Sequence, residues 1–402
     1  MRTICIGAGP AGLYFAILSK LRDPGGEVTV FERNPRGVTY GWGVVFWDDL
    51  LDNLRRGDGS SARRIQAGAR QWYDQQACVG AQAPAHMGGY GFSIGRSLLL
   101  SILTARAEEL GVDLRFEHPV DDLARLAGAD LVVGADGANS RVRQLGAPHF
   151  APRVDVGRNH YIWLGTHKVF DVFTFAFERT AAGWIWFHGY RFNDDTSTCI
   201  VECSPRTFHG LGLDTLGPDE GVALLQDIFA RHLDGHRLIN QRAGLANTPW
   251  LNFTRISNRR WFHHEVVLLG DAAHTTDFSI GSGTKLAIED AIGLDRALRT
   301  CPHRLPDALR TYQHDRAAAV TRRQDAARSS AAWFENVDHH IETDPVRFAY
   351  SLRTRRDGAV PLASLSWLLH QATQYTAGRA ARRWVSTAKR RARGQPHSKP
   401  PT

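Results

Sequence analysis

The 402-residue chain has little of what builds secreted or membrane-spanning proteins. Its five cysteines, Cys5, Cys78, Cys199, Cys203 and Cys301, are odd in number and form no Cys-x-x-Cys pair. Neither a disulfide framework nor a zinc site is expected, and a reducing compartment fits best. No apolar run approaches the roughly 18 residues that span a bilayer. Met1 leads directly into a short apolar strand rather than a cleavable leader, so we read a cytoplasmic, unprocessed protein with no membrane partner. Negative charge is missing from one end. From Gly358 to Thr402 there is no Asp or Glu, while Arg379, Arg382, Arg383, Lys389, Arg390, Arg391, Arg393 and Lys399 supply eight cations. The other 41 basic residues balance the 41 acidic ones, so the net charge of +8 belongs to a tail and not to the body. A neutral body argues against nucleic acid as a partner, and the tail reads as a solvated helix fraying into a Pro-rich end.

What is present is an ordinary globular composition, 43% hydrophobic and 22% charged, with length for two or three lobes. The first thirty-two residues carry one clear pattern: a strand from Thr3 to Ile6, the run Gly7-Ala8-Gly9-Pro10-Ala11-Gly12, an apolar helix, and a second strand ending in Glu32. In a dinucleotide fold Gly7 permits the tight turn, Gly9 lets backbone N–H groups approach a pyrophosphate, and Gly12 lets helix and strand pack closely. Glu32, twenty residues after Gly12, falls where a carboxylate accepts hydrogen bonds from ribose hydroxyls. A later strand, Leu131 to Val133, runs into a turn containing Asp136-Gly137, and another, Val266 to Leu269, into Gly270-Asp271. The carboxyl ends of parallel strands are where ligands lie.

Between Asn159 and Cys203 the texture changes to short strands without helices: Phe173, Phe175 and Phe177 alternate, as do Trp184, Trp186 and His188. One face of these strands is expected to be core and the other a pocket wall. The fold class is therefore α/β, a Rossmann-like domain with an inserted, mainly antiparallel β-sheet domain and a C-terminal helical segment. We divide the chain into 1–150 (dinucleotide domain, first part), 151–254 (β-sheet substrate domain), 255–335 (dinucleotide domain, second part) and 336–402 (helical segment with basic tail). The adjacent pairs His263-His264 and His339-His340 would point apart, so no metal site is expected.

Three motifs in order, the glycine turn with Glu32, Asp136-Gly137 and Gly270-Asp271, resemble the single-component FAD aromatic monooxygenases with the p-hydroxybenzoate hydroxylase fold. Longer words are similar to the salicylyl-CoA 5-hydroxylase and anthraniloyl-CoA monooxygenase branch: Thr39 to Asp49, Gly91 to Arg96, Asn193 to Glu202, Gly270 to Asp290 with Phe278 to Leu286 its most telling stretch, and Trp333 to Asn336. Three positions depart from the pattern: Phe278 and Lys285 stand where the broader family has Pro and Asn, and Asp277 where the branch has His.

The resemblance implies FAD, with NADPH or NADH as a transient reductant. It places the cofactor on Gly7, Gly9, Pro10, Ala11, Gly12, Glu32, Arg33, Val44, Val45, Arg96, Asp136, Gly270, Asp271, Gly281, Gly283 and Thr284. Two carboxylates would repel a pyrophosphate, so Asp136 and Asp271 should bind hydroxyls or orient N–H donors, leaving phosphate to helix dipoles and Arg96. The implied reaction is hydroxylation, through a flavin 4a-hydroperoxide and O₂, of an electron-rich ring carried as an aryl-CoA or carrier-bound thioester, para to its hydroxyl or amine. His188 and Tyr190 are the candidate partners of that hydroxyl. Arg353, Arg355, Arg356 and the tail are candidates for holding the phosphates of a CoA arm. The alternative is a free indole or tryptophan-derived substrate, as in violacein-type hydroxylases. Trp184-Ile-Trp186 resembles the start of a flavin-halogenase motif, but after Phe187 its Ile-Pro end is replaced by His188-Gly189.

Overall fold

The computed structural model describes residues 1–240, 249–342, 344–357 and 364–392. Arg393 and Lys399 of the basic tail lie outside the described residues, as do the side chains of Arg382, Arg383, Lys389, Arg390 and Arg391.

Three sheets organise the chain. The first runs Phe262–His263, Val266–Leu268, Leu131–Gly134, Arg2–Ile6, Glu27–Phe31, Asp113–Arg115, parallel except for its first strand. Its central strands are short apolar runs buried on both faces, the pattern of a sheet covered by helices. Pro10–Arg22 is one of those helices, with Pro10 in its first turn, where the missing N–H costs nothing. Gly283–Thr300 packs against it and continues, after Pro302, into the 31-residue helix Leu305–Glu335.

Register decides which residues this sheet brings together at its edge. Ile6 pairs with Phe31 and with Gly134, and Gly134 pairs with Leu268. The residues that follow, Gly7, Glu32, Ala135-Asp136 and Leu269-Gly270-Asp271, therefore leave the sheet side by side at its carboxyl edge.

The second sheet has eight strands. Pro152–Thr166, Ser197–Cys203, Trp184–Arg191 and Phe173–Arg179 form its centre, with Leu238–Ile239 and Leu251–Asn258 pairing to the first of these. Gln75–Val79 adds to Phe173–Arg179 in parallel and carries Ala85–His86. Residues 75–86 thus hydrogen-bond into the sheet of the second lobe, although a division at residue 150 counts them with the first. The reason is non-local: a strand edge takes whichever partner the fold brings to it, and no local pattern names that partner. Both faces of this sheet are covered. Phe175, Phe177, Trp186 and Tyr190 pack against Phe334 and Phe348 of the C-terminal helices. Ala176, Ile185, Phe187 and Val201 pack against Phe208, Leu225 and Phe229. The expectation of one whole face as a pocket wall is corrected accordingly: the long helix closes most of it.

A small third sheet, ordered Gly43–Phe46, Gly91–Gly95, Arg70–Trp72, bridges the two. Among the described residues, no helix is long and apolar enough to cross a membrane.

Candidate active site

The glycine turn is shaped by what its glycines would otherwise strike. Gly7 has φ +106°, and a β-carbon there would lie 2.4 Å from the Ala135 carbonyl oxygen; at Gly12 it would lie 2.0 Å from the Gly7 carbonyl oxygen. Gly9 differs, because its β-carbon would meet only one atom, 4.0 Å away. Two glycines let the chain fold on itself and the third leaves space. Pro10 and Ala11 carry the helix away from that space. Glu32 clamps the turn, accepting from the Ala8 N–H at 2.9 Å with one oxygen and from the Asn34 N–H and side-chain amide, at 2.9 and 2.8 Å, with the other. A cavity of about 240 Å³ opens here, lined by Gly9, Glu32, Arg36, Thr39, Tyr40 and Arg96 among others. Arg33 is exposed and does not line it; Arg36, which the motif does not single out, lines it and pairs with Glu108.

Arg96 opens the helix that follows Gly91–Gly95. Its own N–H donates to the Trp42 carbonyl at 2.7 Å, and its Nε donates to Thr39 Oγ1 at 3.0 Å. Burial pulls the guanidinium below its usual range, and the facing Asp271 opposes that shift. Asp271 keeps a path to solvent while protein surrounds it, which is how a side chain on the wall of a cleft behaves. Desolvation raises its carboxyl despite Arg96 and His274, helped by the nearby Asp290.

Asp136 does what repulsion arguments require and orients donors: its carboxylate accepts from Ser140 Oγ at 2.5 Å and from the N–H groups of Arg141 and Val142 at 2.6 and 3.1 Å. Behind Gly270 (φ +58°) a buried network fixes the second motif. Asp290 accepts from the Gly270 N–H at 3.0 Å and from Arg316 Nε at 2.8 Å, and meets His274 Nε2 at 2.7 Å. Burial alone would raise the Asp290 carboxyl, but His274 and Arg316 hold it below the usual range.

The loop Phe278–Gly283 closes the edge. Gly281 has φ +62°, and a β-carbon there would meet Val45 at 2.6 Å and Trp47 at 3.1 Å. The loop therefore lies against the strand holding Val44 and Val45, with Val44 buried. At Gly283, where the helix begins, a β-carbon would meet nothing within 4 Å. Thr284 follows, half-buried. Open space at Gly9 and at Gly283, with Arg96 and Asp271 between the two motifs, is a cradle that fits an extended dinucleotide.

Next to this loop the eight-stranded sheet ends in an aromatic chamber. The His188 ring lies 4.9 Å from that of Phe175, 5.1 Å from Phe334 and 5.6 Å from Phe278. The Tyr161 ring lies 4.7 Å from Phe278. Burial, with Arg355 nearby, pushes His188 down to about 3, so its imidazole is neutral. Its Nε2 has no hydrogen-bond partner and lies 3.6 Å from Glu202 Oε2. Tyr190, the other candidate, is corrected: its hydroxyl donates to the Gly43 carbonyl at 2.8 Å, and Thr198 Oγ1 accepts from the Gly43 N–H at 2.9 Å. Both side chains pin the Gly43–Phe46 strand to the sheet.

Arg355 is also corrected as a phosphate anchor. Its guanidinium is buried over Phe175 and Phe334 and is spent on Ser330 Oγ and the carbonyls of Leu352 and Ser279. Glu202 and Asp277 face the same chamber; in the sequence the first was visible only as the end of a longer word and the second as a departure from the branch pattern. Their position depends on how the sheet, the loop and residue 355 come together.

A model of an FAD binding domain matches residues 242–327. Across 366 residues the chain is 39% identical to a salicyloyl-CoA 5-hydroxylase of Streptomyces sp, covering 88% of this chain and 70% of that one. It is 36% identical to the 3-hydroxy-4-methyl-anthranilyl-[aryl-carrier protein] 5-monooxygenase of Streptosporangium sibiricum, covering 90% and 99%. The chain belongs to the FAD-dependent aromatic monooxygenases. FAD is accordingly its cofactor, and NAD(P)H is the usual reductant of these enzymes. A third member, the protodeoxyviolaceinate monooxygenase of Chromobacterium violaceum, is 32% identical over 90% of this chain and 96% of its own. The fold agrees: 2-methyl-3-hydroxypyridine-5-carboxylic acid oxygenase superposes with a TM-score of 0.63 at 19% identity, over 84% of this chain and 91% of that one.

Proposed function

We propose that this monooxygenase hydroxylates an aromatic ring carrying a hydroxyl or amine, presented as a CoA or carrier-protein thioester, at the position para to that group. The observation that carries the reading is the adjacency of the aromatic chamber around His188 to the Phe278–Gly283 loop at the carboxyl edge of the parallel sheet. The two relatives named for thioester-borne aromatic acids support it.

FAD would lie along the edge. The glycine turn with the start of helix Pro10–Arg22 would take the pyrophosphate, Glu32 the adenosine ribose, Arg96 the phosphate charge, and Asp271 the ribityl hydroxyls. Backbone N–H groups at Gly283 and Thr284 would face the pyrimidine end, where a helix N-terminus stabilises negative charge. Bound there, FAD supplies the two-electron redox chemistry and the activation of O₂. The chain binds, orients and keeps water out: Phe175, Phe278 and Phe334 form an apolar box for the ring. His188, neutral and unpartnered, offers a hydrogen bond to its hydroxyl or amine. The sheet lobe from residue 151 would supply the ring site, with Phe278 from the loop, Phe334 of the long helix as its far wall and Arg355 of the segment from 336 behind that wall. The enzyme works in the cytoplasm, where its free thiols persist and NAD(P)H is at hand.

The test is to purify the protein, record its visible spectrum, and measure NAD(P)H oxidation and product with salicylyl-CoA, anthraniloyl-CoA, the free acids and indole. Hydroxylated thioester is expected. Hydroxylation of a free acid or indole as fast as the thioester would sink the reading. The indole outcome would favour the alternative that the violaceinate relative supports.

A further inference from the structure

The chamber contains a set of buried charges that the cofactor edge does not use. Glu202, on the strand Ser197–Cys203, is 6% exposed; it accepts from Asn159 Nδ2 at 2.8 Å and from Trp186 Nε1 at 3.2 Å. Asp277, from the loop that precedes the helix Gly283–Thr300, is 8% exposed and accepts from the Ser279 N–H at 2.9 Å. His188 Nε2, 98% buried and unpartnered, points at Glu202 across 3.6 Å. The other charged or titratable groups that act on these three are Arg355 from the C-terminal helices and Glu335 from the long helix, and Tyr161, itself beside Asp271, feels both Asp277 and Glu202. Arg356 stands behind Arg355 and donates to the same Ser279 carbonyl at 3.3 Å.

The balance of this set is unusual for a site that handles aromatic acids. Its inner cation, Arg355, has donors committed to Ser330, Leu352 and Ser279 and its charge offset by Asp277 and Glu202. A carboxylate entering the chamber would find acceptors on Glu202 and Asp277 and an inner guanidinium, Arg355, whose Nε, Nη1 and Nη2 already donate within the protein, while the unpaired Nε of Arg356 stands behind it. Burying it there would add an unpaired negative charge beside two others. A neutral ring bearing an O–H or N–H finds the opposite: hydrogen-bond acceptors inside an apolar box.

We propose that Glu202 and Asp277 determine specificity by charge, admitting aromatic rings whose carboxyl is masked as a neutral thioester, ester or amide and rejecting the free aryl carboxylate. This rests on the thioester reading and supplies its physical cause, repulsion designed against a competitor. The titration of the pair sharpens it. Desolvation raises Glu202 to about 7 and Asp277 to about 6, each raised further by acidic neighbours, Glu335 for the first and Glu202 for the second. Above pH 7 both are ionised and rejection is strongest. As pH falls through 7 and then 6 they take up protons and rejection fades, while the free acid remains ionised throughout.

The experiment measures binding of salicylate and salicylamide to the FAD-loaded protein by perturbation of the flavin absorbance, between pH 6 and 8. The amide should bind at least about tenfold more tightly at pH 8, the scale of one unfavourable buried charge contact, and the ratio should shrink towards pH 6. Glu202→Gln and Asp277→Asn should each shrink the ratio at pH 8 while flavin content and the visible spectrum stay those of the wild type. Asp277→Asn keeps the oxygen that accepts from Ser279 and serves if Glu202→Gln fails to fold. Equal affinities at pH 8, no binding of the amide, or an unchanged ratio in a folded variant would overturn the proposal. If the ratios behave as stated but salicylyl-CoA yields no hydroxylated product, the charge filter stands and the thioester reading falls.

Discussion

At the edge of the parallel sheet the proposed ligand cradle is made by backbone, and in the neighbouring proposed ring site it is made by side chains. The first depends on where a β-carbon is missing: Gly7 and Gly12 allow contacts no other residue could make, and Gly9 and Gly283 leave room. The second depends on what four separate segments bring, with His188 and Glu202 from the sheet, Asp277 and Phe278 from the loop, Phe334 from the long helix and Arg355 beyond it. A backbone cradle tolerates little change at its glycines yet is indifferent to most side chains. A side-chain chamber can be retuned one residue at a time, which lets one cofactor edge serve many substrates.

The largest effect that would test this contrast is at Gly7. Gly7→Val combines a positive φ with a backbone clash, and we expect a loss of more than about 4 kcal/mol, seen as failure to accumulate folded protein. Gly9→Val is its control: the β-carbon has space, so apoprotein should fold with a near-normal melting temperature but carry no FAD. If both variants behave alike, the division of labour among the glycines is wrong.

Next is the support behind the second motif. Asp290→Ala strands Arg316 and His274 in the core and should cost about 3–5 kcal/mol by denaturant unfolding. Asp290 is held below the ordinary carboxylate range, so its contribution is present above the unfolded-state pKa and lost as pH falls through the folded value. The gap between wild type and variant should therefore narrow in acid below the usual carboxylate range.

A smaller effect is expected at Asp271, where Asp271→Ala should leave the fold intact and weaken FAD by about 1.5–3 kcal/mol, the worth of a hydrogen bond to a charged group. Titrating the apoprotein with FAD measures it directly, and unchanged affinity would remove Asp271 from the cradle. The smallest is Tyr190→Phe, which deletes one buried hydrogen bond to Gly43 and should cost about 1 kcal/mol of stability with kcat nearly unchanged. A hundredfold loss of kcat at unchanged melting temperature would return Tyr190 to the chemistry.

Much of the geometry at the carboxyl edge of the parallel sheet was legible in the sequence, because a tight turn, a close helix and a terminal acid leave local marks at short spacing. Gly7, Gly12, Glu32, Asp136 and Gly270 could be named from neighbours a few residues away. Arg33 is exposed while Arg36, three residues on, lines the cavity, and the direction of a loop side chain is not written in its neighbourhood. The chamber was legible only as a place. Alternation within each strand grouped Phe173, Phe175 and Phe177, and separately Trp184, Trp186 and His188, but did not show that pairing would set Phe175 beside His188, that the long helix would close their face or that Tyr190 would be spent on Gly43.

The sequence alone determined the fold class, the dinucleotide turn, the family and the absence of a charge bias in the body, since each is a matter of composition or local spacing. Only the tertiary structure decided which acids meet. Glu202 and Asp277 are 75 positions apart, and Arg355 lies a further 78 on. Their electrostatics arise from shared burial, because charges that water would screen in an extended chain must answer to one another once the sheet, the loop and the helices exclude it.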